Sequence, residues 1–365
     1  MRTAIVHDFL MQMGGAEKVV EVLHAMYPEA PVYTSAYDPE VMPDAYRSWD
    51  IRTSFLQRLP QKRKTHRFAL PLYPMAFESF NLSDYDLVLS SSSCFAKGVI
   101  TPPHTTHICY THAPMRFAWS TESYLENEKL PWLFRPPLAL ITHYLRTWDT
   151  VASTRVDQYV ANSSVVARRI RKFYRADSEI VFPPVETDRF QIASEVEDYY
   201  IMVSRAVPYK RLDLAVAAFT RLKKPLKIVG SGRQMDALQA QAGSNVQFLG
   251  RVGDKDLPEL MARAKGYIMP GEEDFGIAPV EANACGRPVI AYAAGGALDT
   301  QRDGITGVLF EDQTVEGLCN AVCRLESLDL NPQTIQDHAR TFDTAVFQER
   351  MRAVVATAMA KEGAS

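Results

Sequence analysis

Lys265-Gly-Tyr-Ile-Met-Pro-Gly-Glu-Glu-Asp-Phe-Gly-Ile-Ala-Pro-Val-Glu281 joins a short apolar run to a turn and then to a helix-forming stretch. Gly266–Met269 reads as a buried strand. Phe275, Gly276 and Ile277 place backbone amides where a helix begins, and amides at a helix start lack intrahelical partners and attract phosphate. Glu273, on the turn, can accept hydrogen bonds from sugar hydroxyls. Glu281, two turns down the chain, can grip a ribose diol with both carboxylate oxygens. A capped, acidic helix start is the plain structural alternative. Together the turn, the amides and the two carboxylates suit a polyhydroxylated, phosphorylated ligand.

Outward from this stretch the same strand-and-helix alternation repeats in two α/β halves. Thr3–Val6, Asp86–Ser90, His107–Tyr110 and Gln158–Ala161 are strand-type runs in the first half, with a helix over Ala16–Met26. Tyr199–Val203, Leu226–Val229, Val246–Leu249, Gly266–Met269 and Val289–Ala291 alternate with helical segments in the second. Near-continuous Val/Ile/Leu runs separated by helices predict parallel sheets covered on both faces. Two prolines in Val181-Phe-Pro-Pro-Val-Glu186 forbid helix and stiffen the connection. The expected division is therefore a first domain over 1–183, a second over 184–340, and a C-terminal segment over 341–365.

Other chemistry-bearing residues fall where strands end, the edge at which open α/β sheets bind ligands. Gly14-Gly15 follows the first strand and opens a helix, so a ligand oxygen can approach its backbone, although many such turns carry glycine for geometry alone. Arg205 and Lys210 follow the first strand of the second half. A forked guanidinium and a point-charge ammonium suit a diphosphate, and two solvated surface cations are the alternative. His112 follows the strand around Cys109, a position where a lone histidine is more often structural. Arg251 lies in Gly250-Arg-Val-Gly253 and can stack on a nucleobase, or be an ordinary surface arginine. Asp84-Tyr-Asp86 and Asp254-Lys-Asp256 have the spacing of a metal-binding pair, but chance and helix capping account for them better. No metal site is expected.

The stretch from Glu273 to Glu281, continued through Asn283-Ala-Cys-Gly-Arg-Pro-Val-Ile-Ala-Tyr-Ala-Ala-Gly-Gly296, resembles the signature of family 4 retaining glycosyltransferases with the GT-B fold. It is most similar to bacterial O-antigen and exopolysaccharide mannosyltransferases, over nearly the whole chain. The resemblance implies two Rossmann-like domains whose parallel sheets face each other across a cleft, the first binding acceptor, the second binding nucleotide sugar. It also implies that the last helix crosses back to the first domain. By position it implies His112, Arg205, Lys210 and Glu273 as catalytic residues. Gly15, Arg205, Lys210, Arg251, Phe275, Gly276, Ile277 and Glu281 are implied to hold the donor. The implied reaction moves a hexose, mannose from GDP-mannose, onto a lipid-linked saccharide with retention of configuration and no cofactor. Arg211 stands where the family often has glycine, which puts the local backbone there in question. Other readings of the same architecture are a sugar-nucleotide epimerase, a phosphorylase, or a nucleotide-sugar-binding protein without activity.

Composition sets the outer bounds. The chain has 365 residues, 47% hydrophobic and 23% charged, with a net charge of −3, which suits two globular domains and offers no basic face for nucleic acid. Five cysteines without framework spacing argue for a reducing compartment, and Cys319/Cys323 read as a helix face. The apolar run after Met1 is too short for a signal peptide, and no run approaches a membrane span. Cytoplasmic residence is expected, with any membrane contact peripheral at the inner face. Arg58, Lys62, Arg63, Lys64 and Arg67 form a cluster without an acid, beside Leu56, Leu59, Phe68, Leu70 and Leu72. Such a segment suits an anionic lipid surface or, equally, a solvated loop.

Overall fold

The computed structural model describes residues 1–60, 69–119, 135–232 and 234–362. Two compact units divide the chain, Met1–Phe182 with Phe347–Ser365, and Pro183–Val346.

The first unit is built on a seven-stranded sheet of β1 (Thr3–His7), β2 (Val32–Thr34), β3 (Ile51–Thr53), β4 (Leu87–Ser92), β5 (Thr106–Thr111), β6 (Gln158–Ala161) and β7 (Ser178–Ile180). The spatial order is β3-β2-β1-β4-β5-β6-β7, and every pairing is parallel. β1, β4 and β5 are buried at every position because both faces are covered. Along β1 the side chains alternate between two core layers. Ile5 packs with Leu89, Ile108 and Tyr110, while Ala4 and Val6 pack with Val88, Phe77 and Phe95. The helix Thr344–Glu362 supplies Phe347, Met351, Val354, Val355 and Ala358 to the Ile5 layer, the spacing of a helix with one apolar stripe.

A six-stranded parallel sheet forms the second unit: β8 (Tyr200–Val203), β9 (Leu226–Val229), β10 (Val246–Gly250), β11 (Gly266–Met269), β12 (Val289–Tyr292) and β13 (Gly307–Phe310), in the order β10-β9-β8-β11-β12-β13. Helices Leu212–Leu222 and Val315–Glu326 close one face over Ile228, Ile268 and Ile290. On the second of these helices Cys319 is buried but Cys323 is exposed, so only the first belongs to the buried face.

Four strands lie outside the apolar runs that mark the others: β2, β3, β7 and β13. β2, β3 and β7 have only three residues each, too short to establish a period. β3 and β7 are also sheet edges with partly exposed side chains, so no apolar run marks them. Arg58 ends a short 3₁₀ turn over Phe55–Arg58, whereas Lys62, Arg63, Lys64 and Arg67 lie outside the described residues. Among the described residues, no helix is long and apolar enough to cross a membrane.

Burial has a measurable consequence at His107 on β5. Its Nε2 bonds the Ser90 hydroxyl at 2.8 Å and its Nδ1 the Arg155 carbonyl at 3.3 Å, and burial pushes its titration down to about 4. The unfolded chain takes up this proton near the ordinary histidine value and the folded chain does not, so stability is lost as pH is lowered across that window, by about 1.4 kcal/mol per unit. In His107→Gln, the loss of unfolding free energy between about pH 7 and about pH 5 should shrink by roughly 2 kcal/mol relative to the parent. An equal pH dependence in both proteins would contradict this assignment.

Candidate active site

In each sheet the chain leaves the centre in one direction and then returns to build the other side. That reversal falls between β1 and β4 in the first unit and between β8 and β11 in the second. The loops leaving two such strands part, and the crevice between them is the usual ligand site of an open α/β sheet.

In the second unit the loop after β8 carries Arg205 and Lys210, and the loop after β11 carries Glu273. Lys210 Nζ is ion-paired with Glu273 Oε1, both side chains being half-buried, so the structure joins these two residues directly across the reversal. Arg205, on the same loop as Lys210, is exposed and makes no ion pair with a described residue. Beneath the pair, the buried Tyr267 hydroxyl donates to the Val203 carbonyl at 2.9 Å, stitching β11 to β8. Burial, and then the negative charges of Glu273 and Glu281, hold this phenol well above its ordinary value. Sequence reasoning did not single out Tyr267, whose position inside an apolar strand hides its polar end.

The helix Ile277–Ala284 starts directly behind Glu273. Gly276 enters it at φ 90°, a left-handed conformation that favours glycine. The first amides of this helix, from Ile277 onward, have no partner within it. Phe275 turns its ring into the interior, edge-on to Phe342 at 5.8 Å, so what it offers a ligand is backbone. Glu281 is buried, 7% exposed, in the second turn. Arg251 follows β10 and is exposed, away from the Lys210–Glu273 pair in sequence, and its side chain makes no ion pair with a described residue.

Close backbone approach keeps these loops together, and here sequence reasoning missed residues. A Cβ on Gly271 would lie 2.2 Å from the Tyr209 carbonyl oxygen and 2.7 Å from Lys210 Cα. One on Gly295 would lie 2.2 Å from the Glu273 carbonyl oxygen, and one on Gly296 would lie 2.3 Å from Phe275 Cα. Gly230 and Gly232, after β9, similarly abut the Ser204 and Ala206 carbonyls beside Arg205. Glycine at the carboxyl end of successive strands is the sequence signal that marks them. The backbone at Arg211 is left-handed (φ 53°, ψ 43°), the conformation glycine adopts most readily. The Arg211 guanidinium donates to Gln313 Oε1 at 2.9 Å, and Gln313 Nε2 donates to the Pro270 carbonyl at 2.9 Å, linking the Lys210 loop to the Glu273 loop.

Neither Asp-x-Asp pair has the role of a cap. Asp256 precedes the helix Leu257–Ala262 without a side-chain capping bond. Asp86 Oδ2 instead accepts the Arg2 amide at 2.7 Å.

In the first unit the corresponding crevice is filled from within. The buried Asp8 carboxylate, just past β1, accepts the amides of Ser93, Cys94, Phe95 and Ala96 at 2.5 to 3.0 Å. Four converging amides make a nest for an anion, and Asp8 occupies it. Gly15 is exposed at the first position of the helix Gly15–Met26, after Gly14 in ordinary extended backbone. His112 leaves β5 with its amide on the Ser92 carbonyl and its own carbonyl accepting from Asn162 Nδ2 at 3.0 Å. Its Nε2 bonds Ser91 Oγ at 2.8 Å. Burial, helped by the neighbouring positive charge of His7, pushes His112 down to about 3, so the ring is neutral at physiological pH.

Residues 184–342 match the family described as glycosyl transferases group 1. A GDP-mannose-dependent alpha-(1-6)-phosphatidylinositol monomannoside mannosyltransferase of Mycolicibacterium smegmatis is 31% identical over 170 residues, 38% of this chain and 44% of that protein. The D-inositol 3-phosphate glycosyltransferase of Mycobacterium tuberculosis strain F11 is 29% identical over 218 residues, 51% of this chain and 45% of that protein. The matched region thus spans less than half the length of these curated relatives. Among solved structures, Anabaena HepE in complex with UDP has a TM-score of 0.72 at 15% identity, covering 98% of this chain and all of that one. Sucrose-phosphate synthase of Thermosynechococcus elongatus has a TM-score of 0.75 at 17% identity, covering 99% and 100%. The fold is that of the GT-B glycosyltransferases, and the second unit, which carries the Lys210–Glu273 pair, matches the glycosyl transferases group 1.

Proposed function

We propose that this protein is a retaining hexosyltransferase that moves mannose from GDP-mannose onto a lipid-linked saccharide. The observation that carries the reading is the Lys210–Glu273 pair at the strand reversal of the second unit, directly ahead of a helix start and a buried glutamate. A nucleotide sugar needs cations for its diphosphate, hydrogen-bond acceptors for its sugar and a carboxylate for its ribose, and this corner of the sheet holds all three. The mannosyl donor is favoured by the similarity to the GDP-mannose-dependent mannosyltransferase of M. smegmatis.

The acceptor hydroxyl attacks the anomeric carbon on the face from which the diphosphate departs. The bond from that carbon to the phosphate oxygen breaks, the new glycosidic bond forms, and the acceptor proton passes to the departing phosphate oxygen. The products are the glycoside and GDP, and no protein nucleophile takes part. Arg205 and Lys210 neutralise the leaving charge, Glu273 orients the sugar, and His112 bonds a ligand hydroxyl. No cofactor enters this scheme. Incubation of GDP-mannose with lipid-linked saccharide should yield GDP and a mannoside with the donor's anomeric configuration, read by NMR of the product. An inverted product, or an isomerised nucleotide sugar formed without acceptor, would contradict the proposal.

Separate roles for the glutamates give a second test. Glu281→Ala should weaken GDP and GDP-mannose alike, by about tenfold for one lost charge-assisted contact, because the ribose is common to both. Glu273→Ala should leave GDP affinity within about twofold and depress transfer instead. Calorimetric titration of GDP into both variants checks this, and equal losses would show the roles to be wrongly divided.

A lipid-linked acceptor calls for contact with the bilayer surface. In the first unit, helix Arg135–Ser153 exposes Leu140, Tyr144 and Val151 on a side without an exposed acid. The cluster from Arg58 to Arg67 supplies basic residues worth about 1 kcal/mol each near an anionic surface. Vesicles with anionic lipid should bind the protein at low ionic strength and release it near about 0.5 M salt, where screening reaches a few ångströms. Neutralising Lys62, Arg63 and Lys64 together should abolish co-sedimentation without changing GDP affinity. Sedimentation unchanged from the parent would assign the cluster to a solvated loop.

A further inference from the structure

Four polar side chains stand in a row where the carboxyl ends of β1, β4 and β5 meet the helix Gly15–Met26: Glu17, His7, Ser91 and His112. Glu17, His7 and Ser91 are buried, and His112 is half-buried. Glu17 Oε1 stands 3.6 Å from His7 Nε2. His7 Nδ1 lies 3.1 Å from both the carbonyl and the hydroxyl of Ser91. The same hydroxyl lies 2.8 Å from His112 Nε2. The transfer chemistry proposed above uses only the last of these four residues.

The directions of these bonds follow from what each atom can do. A backbone carbonyl only accepts, so His7 Nδ1 carries a proton. A bare Nε2 would then point its lone pair at a carboxylate, whereas a protonated one pairs with it. The groups that face His7 are Glu17 from the helix Gly15–Met26, Asp8 next along its own strand, and Ser91 and His112 from β4 and β5. Burial works against a charged His7, but the nearby Glu17 carboxylate, helped by Asp8, outweighs it and raises its titration. His7 is therefore an imidazolium, with Nδ1 donating and Nε2 facing Glu17 as an ion pair at 3.6 Å rather than as a hydrogen bond. Ser91 Oγ can only accept from it, which leaves the hydroxyl proton for its other hydrogen-bonded neighbour, His112 Nε2. A neutral His112 whose Nε2 accepts has its proton on Nδ1.

We infer that the Glu17–His7 charge pair and the one-way hydrogen bonds from His7 to Ser91 and from Ser91 to His112 fix His112 as the Nδ1–H tautomer, so that the first unit offers a ligand oxygen a donor and no base. His7, Ser91 and Glu17 are positioning residues, acting through His112. The ligand atom so recognised is an oxygen acceptor, of a sugar hydroxyl or a phosphate. This step rests on the proposed transfer reaction only for the identity of that ligand. It gives a physical reason for the two histidines at the ends of β1 and β5, on either side of β4, to take different charge states.

Long-range ¹⁵N–¹H correlation spectra of the full-length, ligand-free protein with labelled histidine read the tautomers directly. The expected result at neutral pH is His112 with Nδ1 protonated and Nε2 bare, and His7 with both nitrogens protonated. In Ser91→Ala the signature of His112 should move toward Nε2–H, with kcat/KM for GDP-mannose falling about tenfold, as for one lost hydrogen bond, while GDP affinity stays the same. Glu17→Gln keeps the shape of the pair but removes its charge. His7 should then become neutral at Nε2 while His112 keeps Nδ1–H. Parental His112 protonated on Nε2, or a tautomer indifferent to Ser91→Ala in a folded variant, would overturn the relay. Because the spectra need no substrate, they decide the relay separately from whether any sugar is transferred.

Discussion

Lys210→Ala should lower sugar transfer by at least about a hundredfold, and Arg205→Ala by a similar factor, while EDTA leaves the parental rate nearly unchanged. The reason is the leaving group. A nucleoside diphosphate departs with two or more negative charges, and something positive and already in place must receive them. Lys210 is held by the Glu273 carboxylate rather than waving in solvent, so its charge is positioned before the ligand arrives and little reorganisation remains at the moment of bond breaking. Arg205 is exposed and without an ion pair among described residues, ready to fork two phosphate oxygens. Lys210→Arg should not rescue fully, because a planar guanidinium cannot occupy the point-charge position opposite Glu273. Initial rates with GDP-mannose, with and without chelator, decide the matter. Loss of all activity in EDTA, restored by a divalent cation, would contradict the assignment.

The second large effect should come from one methyl group. In Gly271→Ala the new Cβ would sit 2.2 Å from the Tyr209 carbonyl oxygen and 2.7 Å from Lys210 Cα. These are backbone atoms and cannot rotate away, so one loop must move and Lys210 leaves its place beside Glu273. A displacement of about 1 Å at a reacting centre costs about a hundredfold in rate, and that is the loss expected in transfer, with the protein still folded. Gly304→Ala is the control. Gly304 has φ 74° but open space around its missing side chain, so alanine there should cost about 1–2 kcal/mol of stability from backbone strain and leave transfer untouched. Equal turnover in Gly271→Ala and the parent would show that the contact between these loops does not position Lys210.

Much of this architecture is legible in the sequence because parallel sheets buried on both faces write themselves as apolar runs. β6, β9 and β11 begin and end where Gln158–Ala161, Leu226–Val229 and Gly266–Met269 do. β3 and β7 escape because an edge strand of three residues, partly exposed, leaves no such run. At the site, the residue types could be read but their partnerships could not. Nothing local to Lys210 or to Glu273 says that the two meet; the reversal of strand order between β8 and β11 brings them together. Likewise, Gly271 and Gly295 are visible as glycines, but the backbone each one touches is a property of the packed loops. Asp8 is the clearest case of a hidden role, since nothing local to it shows that its carboxylate accepts four amides of its own chain. That internal anion fills the nest of the first unit, and the proposed place for a nucleotide diphosphate is the second unit, beside exposed Arg205 and the Glu273-held Lys210.

The most direct test of that placement is the shift in melting temperature of the full-length protein across a panel of GDP- and UDP-sugars, repeated with Lys210→Ala. A ligand that binds only the folded state at about a hundred times its dissociation constant stabilises by about 2.7 kcal/mol, a shift of several degrees for a domain of this size. The account predicts such a rise with GDP-mannose and with GDP, and its loss or sharp reduction in Lys210→Ala. No shift with any nucleotide sugar, or an equal shift in the parent and Lys210→Ala, would contradict it.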